Sequence, residues 1–353
     1  MSKKEISVAQ LGCGYWGPNL LRNFSAQPGC HVRWVAEEDA NRRTYVESNY
    51  PKTKTTATWQ EAVNDPNVQA VIIATPASTH YSLAKTCLEA GKHIFVEKPL
   101  AMSLREADDL AELSASRKLT LMLGDTFLYN SAVRYLKELI RRGELGEVYY
   151  IYSQRLNLGR IRTDVNAWWN LAPHDISILL YLMDWELPVS VSARGVDYVQ
   201  PNIEDVVFAT LTWANRVTAH IQVSWLDPGK TRKMTIVGNR KMVVYDDVSD
   251  DKIAVMDKGI DRVAKSGGNM DYDYFNNYQL FHRTGDILLP RIDFQEPLKI
   301  ETSHFLECVR TGETPLTGGV HGRSAVAILE AGQKSIKSQG QIVNLSAVSG
   351  RFS

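Results

Sequence analysis

Three glycines near the start of the chain separate a strand pattern from a helix pattern. In the segment VAQLGCGYWGPNLLRNF, Gly12, Gly14 and Gly17 follow an apolar run, and Pro18 comes where the first helical turn is expected. Glycine lets the backbone turn tightly here and approach a phosphate at the amino end of a helix. The segment therefore predicts a dinucleotide-binding turn. The residues predicted to line it are Gly12, Gly14, Tyr15, Trp16 and Gly17.

Glu37 stands at the end of the second predicted strand and indicates which dinucleotide binds. A carboxylate accepts hydrogen bonds from ribose hydroxyls and repels a 2′-phosphate, so we predict NAD and find NADP less favoured. Arg42 and Arg43 keep the second cofactor open, because either arginine could fold back onto a phosphate. The alternative for the whole motif is a tight turn without a ligand, with Glu37 as a surface acid.

The first 124 residues alternate short β-rich runs with helical patterns, which is typical of a parallel sheet built from βαβ units. Ser103 and Glu106 form a capping-box pattern, and Gly91 is expected just after the end of a helix. The predicted strands are residues 6–11, 31–36, 70–74, 93–96 and 120–123.

Beyond residue 145 the runs lengthen and alternate with period two, as in VTAHIQVSW. We expect consecutive antiparallel strands in a large open sheet, with helices on one face. The uncovered face predicts a homodimer or homotetramer joined through that sheet. Residues 257–298 have little periodicity, and no element is assigned to them. The predicted domains are residues 1–124, which bind the dinucleotide, and residues 125–353, an α+β substrate-binding and oligomerisation domain.

Composition excludes several classes of partner. Forty lysine and arginine residues balance forty acidic residues without a basic block, so nucleic acid and membrane surfaces are not expected partners. The four cysteines lie far apart without metal-ligand spacing, which predicts no metal and fits a reduced cytoplasm. No signal peptide precedes the first strand pattern, and the longest apolar run is too short to span a bilayer.

Two further segments carry reactive side chains. The segment HIFVEKPLAMSLREADDL ends a predicted strand in Glu97 and Lys98, at the carboxyl edge of the parallel sheet where such folds bind ligands. The segment NLAPHDISILLYL places His174 and Asp175 before an apolar run, with Pro173 in the expected first turn of a helix.

The segments GCGYWG, VIIATPASTHYSLAKTCLEAGKHIFVEKPLA and PHD together resemble the glucose-fructose oxidoreductase and inositol dehydrogenase family, Gfo/Idh/MocA, over nearly the whole chain. The resemblance implies an α/β protein: an N-terminal Rossmann domain followed by a C-terminal α+β domain with a large, open, mostly antiparallel sheet. It also implies NAD(P)-linked oxidation or reduction of a sugar, cyclitol or sugar nucleotide. The residues it places around the cofactor are Thr75, Pro76, His80, Glu97 and Lys98.

The same resemblance implies that Lys98 and His174 lie beside the reacting carbon. The positive end of the expected helix would keep His174 neutral, so that it can accept a hydroxyl proton while Lys98 stabilises the alkoxide. Asp175 is a candidate third catalytic group, and its alternative is to stabilise the start of the helix. Many members carry aspartate where this chain has Asn170, and an amide cannot relay a proton.

Polar and aromatic residues between the two halves predict the substrate cleft, because they suit a sugar ring, and arginine suits a diphosphate. The alternative is that Trp168 and Trp169 are core residues and the arginines are solvated. The predicted substrate-binding residues are Tyr129, Asn130, Arg155, Arg160, Asn166, Trp168 and Asn170.

The segments GYWGPNLLRNF and NLAPHDISILLYL resemble those of sugar-nucleotide 3-dehydrogenases within the family. The predicted reaction is therefore NAD-dependent oxidation of the 3-hydroxyl of a UDP-N-acetylhexosamine. One alternative is dehydrogenation of a free cyclitol or hexose. The other is a regulator that senses NAD or a sugar without turnover, which the presence of both Lys98 and His174 disfavours.

Overall fold

The computed structural model describes residues 5–264 and 278–345, and the first half of the chain forms a parallel sheet whose strands alternate with helices. The strands are β1 (Ile6–Leu11), β2 (Cys30–Ala36), β3 (Lys54–Thr56), β4 (Ala70–Ile73), β5 (His93–Glu97) and β6 (Leu121–Gly124). The helices are α1 (Gly17–Ala26), α2 (Ala40–Asn49), α3 (Trp59–Asn64), α4 (His80–Glu89) and α5 (Leu104–Ser116). Short 3₁₀ turns occupy Ala77–Thr79 and Thr126–Tyr129.

The strand order of this sheet is β3-β2-β1-β4-β5-β6, and every neighbouring pair is parallel. The order reverses between β1 and β4, which opens a crevice at the carboxyl ends of these two strands. Five strands agree with the sequence prediction to within one residue. The sequence analysis missed β3, because three residues are too short to show a period.

The predicted helix boundaries depend on local hydrogen bonds. The Ser103 hydroxyl accepts a bond from the Glu106 amide, and the Glu106 carboxylate accepts one from the Met102 amide, which confirms the capping pattern at α5. Gly91 follows α4 with a φ of 75°, a left-handed conformation that glycine adopts without strain. The capping box therefore fixes where α5 begins, and Gly91 fixes where α4 ends.

The second half of the chain contains a larger mixed sheet. Its strands are β7 (Val148–Leu156), β8 (Ser190–Val196), β9 (Val206–Thr212), β10 (Thr218–Ser224), β11 (Thr231–Gly238), β12 (Met242–Asp246), β13 (Ile253–Ala264), β14 (Tyr278–Leu288) and β15 (Val343–Asn344). Its helices are α6 (Ser131–Arg141), α7 (Ala167–Leu182), α8 (Pro297–Thr311) and α9 (Gly319–Lys337).

Among the described residues, the order of this sheet is β14-β13-β12-β11-β7-β10-β9-β8-β15, and β7 and β10 are its parallel pair. The prediction of a mostly antiparallel open sheet is therefore confirmed. In β10, Ala219, Ile221 and Val223 are buried while His220 is exposed, as the alternation predicted. The unassigned segment 257–298 contains most of β13, all of β14 and the start of α8, and its residues 265–277 lie outside the described part.

Helix α7 begins earlier than the sequence predicted. Asn166 caps it by accepting a bond from the Trp169 amide at 3.1 Å, so Pro173 and His174 lie in the middle of the helix. The prediction that Pro173 occupies the first turn is wrong. An interior proline costs a helix about 3 kcal/mol, and burial of most of this helix between α9 and the large sheet offsets that cost.

The last two long helices pack against the first half of the chain. The Gln27 amide beyond α1 donates to Thr302 of α8 at 2.9 Å, and Arg323 of α9 forms an ion pair with Asp108 of α5. Helix α9 also contacts β8 of the large sheet, so it lies between the two sheets. The domain boundary at residue 124 stays a prediction. Among the described residues, no helix combines the length and apolar character needed to cross a bilayer.

Candidate active site

The glycine-rich turn between β1 and α1 forms one wall of the crevice. Gly12 has a φ of 88°, and a Cβ atom there would lie 2.7 Å from the Ala74 carbonyl oxygen. A Cβ on Gly17 would lie 2.8 Å from the Gly12 carbonyl oxygen. A Cβ on Gly14, by contrast, would meet only the Arg42 guanidinium at 3.4 Å. The first and last glycines are therefore required by the protein itself, while Gly14 faces space that a pyrophosphate can enter.

Tyr15 and Trp16 extend this turn toward solvent and toward β5. Tyr15 is largely exposed, and Trp16 precedes α1 and lies close enough to Glu97 to lower the pKa of its carboxyl group. The Gln10 amide supports the turn from below by donating to the carbonyl groups of Gly12 and Gly17. The turn is thus held in place by side chains of β1 and β5.

The Glu37 carboxylate lies beside the turn, at the end of β2. One of its oxygens accepts a bond from the Cys13 amide at 2.6 Å and lies 3.8 Å from Arg42. Arg43 donates instead to two backbone carbonyl groups at 2.8 Å. The Glu37 carboxylate lies where it can accept hydrogen bonds from the hydroxyl groups of a bound ribose. The arrangement therefore suits a ribose diol and disfavours a 2′-phosphate.

The loop after β4 forms the opposite wall. The hydroxyl groups of Thr75 and Thr79 lie 2.7 Å apart across the turn that starts at Pro76. His80 is buried, and its two ring nitrogens lie 2.7 Å from the Pro99 carbonyl oxygen and 2.9 Å from the Thr75 carbonyl oxygen. Both ring nitrogens join two loops, and a contact of His80 with the cofactor stays a prediction. His80 positions Thr75 and the segment after β5.

Lys98 and His174 meet at the mouth of a second cleft, between β5 and α7. The Lys98 ammonium donates to the Asn170 carbonyl oxygen at 2.9 Å. Asn170 precedes His174 by one turn of α7. The His174 ring lies 5.0 Å from the Phe127 ring, and its Nδ1 is buried without a hydrogen-bond partner among the described residues. The cleft is lined by Lys98, Arg155, Leu156, Asn157, Asn170, Leu171, His174, Lys230, Thr231 and Arg232.

Burial controls the charge of both groups. It lowers the pKa of His174 well below its usual value, and the nearby cations Lys98, Arg155 and Arg232 lower this pKa further. Burial also lowers the pKa of Lys98, against the opposing effect of the Glu97 carboxylate. His174 is therefore neutral near pH 7, as predicted, although the cause is burial and neighbouring cations rather than a helix terminus.

Glu97 is the last residue of β5 and directly precedes Lys98. Burial raises the pKa of its carboxyl group, and Asp125 raises it further, while Lys98 and Trp16 act in the opposite direction. One Glu97 oxygen is buried without a partner in the described part of the chain. An unsatisfied acceptor here, together with the open space at Gly14, fits a bound dinucleotide whose nicotinamide ring approaches the end of β5.

Asp175 points away from the cleft, toward the large sheet. One of its oxygens lies 2.7 Å from Arg155 Nε, and the other accepts a bond from the Ser153 hydroxyl at 2.5 Å. Both Asp175 and Arg155 are buried. The predicted catalytic role of Asp175 is wrong, because its carboxylate is committed to this ion pair. It positions Arg155, which does line the cleft as predicted.

Several predicted substrate residues belong to the framework instead. Trp168 is fully buried and donates to the Leu329 carbonyl oxygen at 2.9 Å, which makes it a core residue. Tyr129 is also fully buried, with its hydroxyl 3.0 Å from His304 Nδ1. Asn130 caps α6 by accepting a bond from the Ala132 amide. The prediction that Trp168 and Tyr129 line the cleft is wrong, while the substrate contact of half-buried Asn130 stays a prediction.

Three polar candidates remain. Asn166 caps α7 and donates to Glu204 at 2.6 Å, so it is a structural residue, contrary to the prediction. Arg160 is exposed on the loop before α7 and is absent from the cleft lining, so its contact with substrate stays a prediction. Asn170 lines the cleft as predicted, and its side-chain oxygen accepts a bond from Trp225 at 3.2 Å. Its backbone carbonyl, not its amide, holds Lys98.

The sequence analysis missed Asn157, Lys230 and Arg232. Arg232 is in phase with the buried residues Met234 and Ile236 of β11, which places it on the helix-covered face of the sheet. That alternation is visible in the segment KTRKMTIVG and could have identified the residue. A metal site is not indicated: among the described residues, no three His, Cys, Asp or Glu side chains are grouped to hold an ion.

A dinucleotide crevice beside a half-buried lysine and a neutral histidine is typical of a nicotinamide-dependent oxidoreductase. Residues 6–125 match the oxidoreductase family GFO_IDH_MocA, with its NAD-binding Rossmann fold, and residues 133–244 match the GFO/IDH/MocA C-terminal domain. The chain therefore belongs to the GFO/IDH/MocA family. This confirms the predicted family, fold, enzyme class and NAD cofactor.

Individual relatives differ in what they act on. The scyllo-inositol 2-dehydrogenase (NAD(+)) of Bacillus subtilis is 25% identical over 324 residues, which is 88% of each chain. The UDP-N-acetylglucosamine 3-dehydrogenase of Acidithiobacillus ferrooxidans is 33% identical over 170 residues, which is 48% of this chain and 52% of the relative. The solved structure of that second enzyme superposes with a TM-score of 0.77 at 22% identity, covering 96% of this chain and 99% of the other, and shows a shared fold.

Replacement of Gly14 tests the cofactor crevice. We expect Gly14→Ala to weaken NADH binding at least about tenfold, because its methyl group enters the space of the pyrophosphate. The free energy of unfolding should change by less than about 1 kcal/mol, because no protein atom is closer than 3.4 Å. NADH fluorescence titration and denaturant unfolding measure both quantities. Gly91→Ala is the control, and unchanged NADH affinity in Gly14→Ala would contradict the assignment.

The charge state of His174 gives a second prediction. Because its pKa is lowered in the folded protein, the neutral base persists as the pH falls and protonates only well below pH 6.5. An NMR titration of the imidazole nitrogens, assigned with His174→Gln, measures the midpoint. A midpoint at or above 6.5 would mean that burial and the three cations do not control this group.

Proposed function

We propose that this NAD-dependent sugar oxidoreductase transfers a hydride between NAD and the 3-hydroxyl carbon of a UDP-N-acetylhexosamine. The observation that carries the proposal is the Lys98 and His174 pair, which meets in one cleft at the carboxyl edge of the sheet that binds the dinucleotide. A general base and a hydrogen-bond donor at the same cleft are what alcohol oxidation requires.

The two side chains have separate roles in this reaction. Neutral His174 accepts the proton of the sugar hydroxyl, while Lys98, held by the Asn170 carbonyl, donates a hydrogen bond to the same oxygen. That bond stabilises negative charge as the C–H bond breaks. Bound NAD supplies the hydride acceptor. Asn170 does not relay a proton, so the proton passes from His174 to solvent.

The choice of a sugar nucleotide has two supports. The relative from Acidithiobacillus ferrooxidans that acts on UDP-N-acetylglucosamine is the more similar of the two over its matched half. The cleft also contains Arg155, Lys230 and Arg232, which a neutral cyclitol has no need of. A sensor without turnover is disfavoured, because it would not require a buried acid-base pair beside the nicotinamide.

The proposal is tested by following NADH formation with UDP-N-acetylglucosamine, its uronic acid, myo-inositol and glucose. We expect turnover with the UDP-sugars, and Lys98→Met and His174→Ala should each lower kcat at least about a hundredfold while NADH binding is kept. Lys52→Met and His31→Ala are matched controls outside both clefts. Near-normal rates in both active-site variants would contradict the mechanism. Turnover with myo-inositol alone would show that the substrate is a free cyclitol rather than a UDP-sugar.

We also propose that two copies of the chain join through the open face of the large sheet. Tyr150, Tyr152 and Phe208 are between 39% and 46% exposed on this face, opposite α7 and α9, and the centres of the two stacked tyrosine rings are 6.4 Å apart. Exposed aromatic side chains on an uncovered sheet are typical of a self-complementary interface.

Light scattering measures the mass that this contact predicts. Wild-type protein should have at least twice the mass of one chain, and a Tyr150→Lys, Tyr152→Lys double variant should have half the wild-type mass or less, because charges are not buried without partners. Tyr198→Lys, which changes an exposed tyrosine in the loop after β8, is the control. A monomeric wild-type protein, or an unchanged mass in the double variant, would contradict the contact.

The reduced cytoplasm remains the proposed location. Its support is that Cys13, Cys30, Cys87 and Cys308 are all free thiols and mostly buried.

A further inference from the structure

Two arginines stand side by side in the large sheet. Arg155 of β7 and Arg232 of β11 are directly opposite each other in the strand register. Their guanidinium carbons lie 4.6 and 5.9 Å from the centre of the Phe127 ring, so both side chains project to the same face. Like charges directly opposite in a sheet are destabilising. Their presence calls for negative charge close by.

The two arginines are neutralised to different degrees. Arg155 is buried and bound by the Asp175 carboxylate, which also accepts the Ser153 hydroxyl. Arg232 is 39% exposed and lies 3.2 Å from a single Asp247 oxygen. The second Asp247 oxygen is bound by the Tyr245 hydroxyl at 3.0 Å. Since a guanidinium has five N–H donors, Arg232 retains donors that can reach into the cleft.

Neighbouring cleft residues add to this positive charge. Lys230 lies two residues before Arg232 and is exposed at the cleft, and no ion pair or hydrogen bond of its ammonium occurs in the described part of the chain. Asn157 supplies an amide beside it. The cleft lining contains four basic side chains and no carboxylate, although the whole chain has a formal net charge of zero. Arg155 and Arg232 are paired with Asp175 and Asp247 behind the lining, so Lys230 supplies positive charge that no carboxylate of the described residues pairs.

We propose that Arg232, Lys230 and Asn157 form a subsite for an oxyanion carried by the substrate, either a carboxylate or a phosphate. Arg232 offers the fork geometry that such groups accept, and Lys230 adds a mobile positive charge. The phosphates of the dinucleotide have their own site at the glycine turn, so the anion belongs to the second ligand. The inference rests on the proposed function in one respect: the sugar occupies this cleft.

The test measures binding without turnover. Calorimetric titrations of the NADH-loaded protein compare glucose with glucuronate, and N-acetylglucosamine with its 1-phosphate and with UDP-N-acetylglucosamine. We expect the acidic ligand of at least one set to bind about tenfold more tightly than its neutral counterpart. Glucuronate and the phosphates separate a carboxylate from a phosphate as the recognised group. High salt should reduce the preference.

Arg232→Gln should remove most of this preference and leave the neutral ligands unchanged within about twofold. Arg240→Gln, the same change in the turn between β11 and β12, is the matched control and should keep it. Equal binding of acidic and neutral ligands in every set, including the absence of binding by all of them, overturns the subsite. An equal effect of Arg232→Gln on both kinds of ligand also overturns it. An intact preference without NADH formation from any sugar would instead overturn the proposed reaction and leave the subsite standing.

Discussion

The hydrogen bond between the Lys98 ammonium and the Asn170 carbonyl oxygen joins the two halves of the molecule at the candidate active site. Lys98 comes directly after β5 of the parallel sheet, and Asn170 lies in α7, which packs on the large sheet. The bond fixes the distance between the dinucleotide crevice and the imidazole of His174. The interior proline of α7 lies between Asn170 and His174, where it removes the helical bond to the Trp169 carbonyl. The conformation of this one turn therefore decides where Lys98 and His174 meet.

Charged side chains surround this bond both beneath the cleft and in its lining. The Arg155 and Asp175 ion pair is buried beneath the cleft, and burying a charge costs free energy unless it is paired and hydrogen-bonded, as both members are here. Its fixed guanidinium, with Arg232 and Lys98, disfavours protonation of His174. The same cations that keep the base neutral also create a positive cleft. In the proposed function, a neutral base and selection for an acidic substrate therefore depend on one set of side chains.

The sequence predicted the parts of the fold that depend on local pattern. The glycine turn, five parallel strands, the capping box at Ser103 and the period of β10 all follow from residues close together in the chain. The sequence prediction was wrong where contacts between distant residues determine a helix boundary or the position of a side chain. Pro173 reads as a helix start, and only packing against α9 and the large sheet shows that it is interior. The sequence pattern predicts that Trp168 contacts a sugar, whereas its indole nitrogen donates to the Leu329 carbonyl oxygen in the core. The pairing of Arg155 with Arg232 joins residues far apart in the sequence, and no local pattern reports it.

A crystal structure of the protein with NADH and an acidic sugar tests the central claim most directly. The account predicts that Lys98 Nζ and one His174 ring nitrogen both lie within hydrogen-bond distance of a single sugar hydroxyl. It also predicts that the pyrophosphate crosses the glycine turn and that Lys98 remains bound to the Asn170 carbonyl. A sugar hydroxyl that contacts neither side chain, or a dinucleotide bound outside the crevice between β1 and β4, would contradict it.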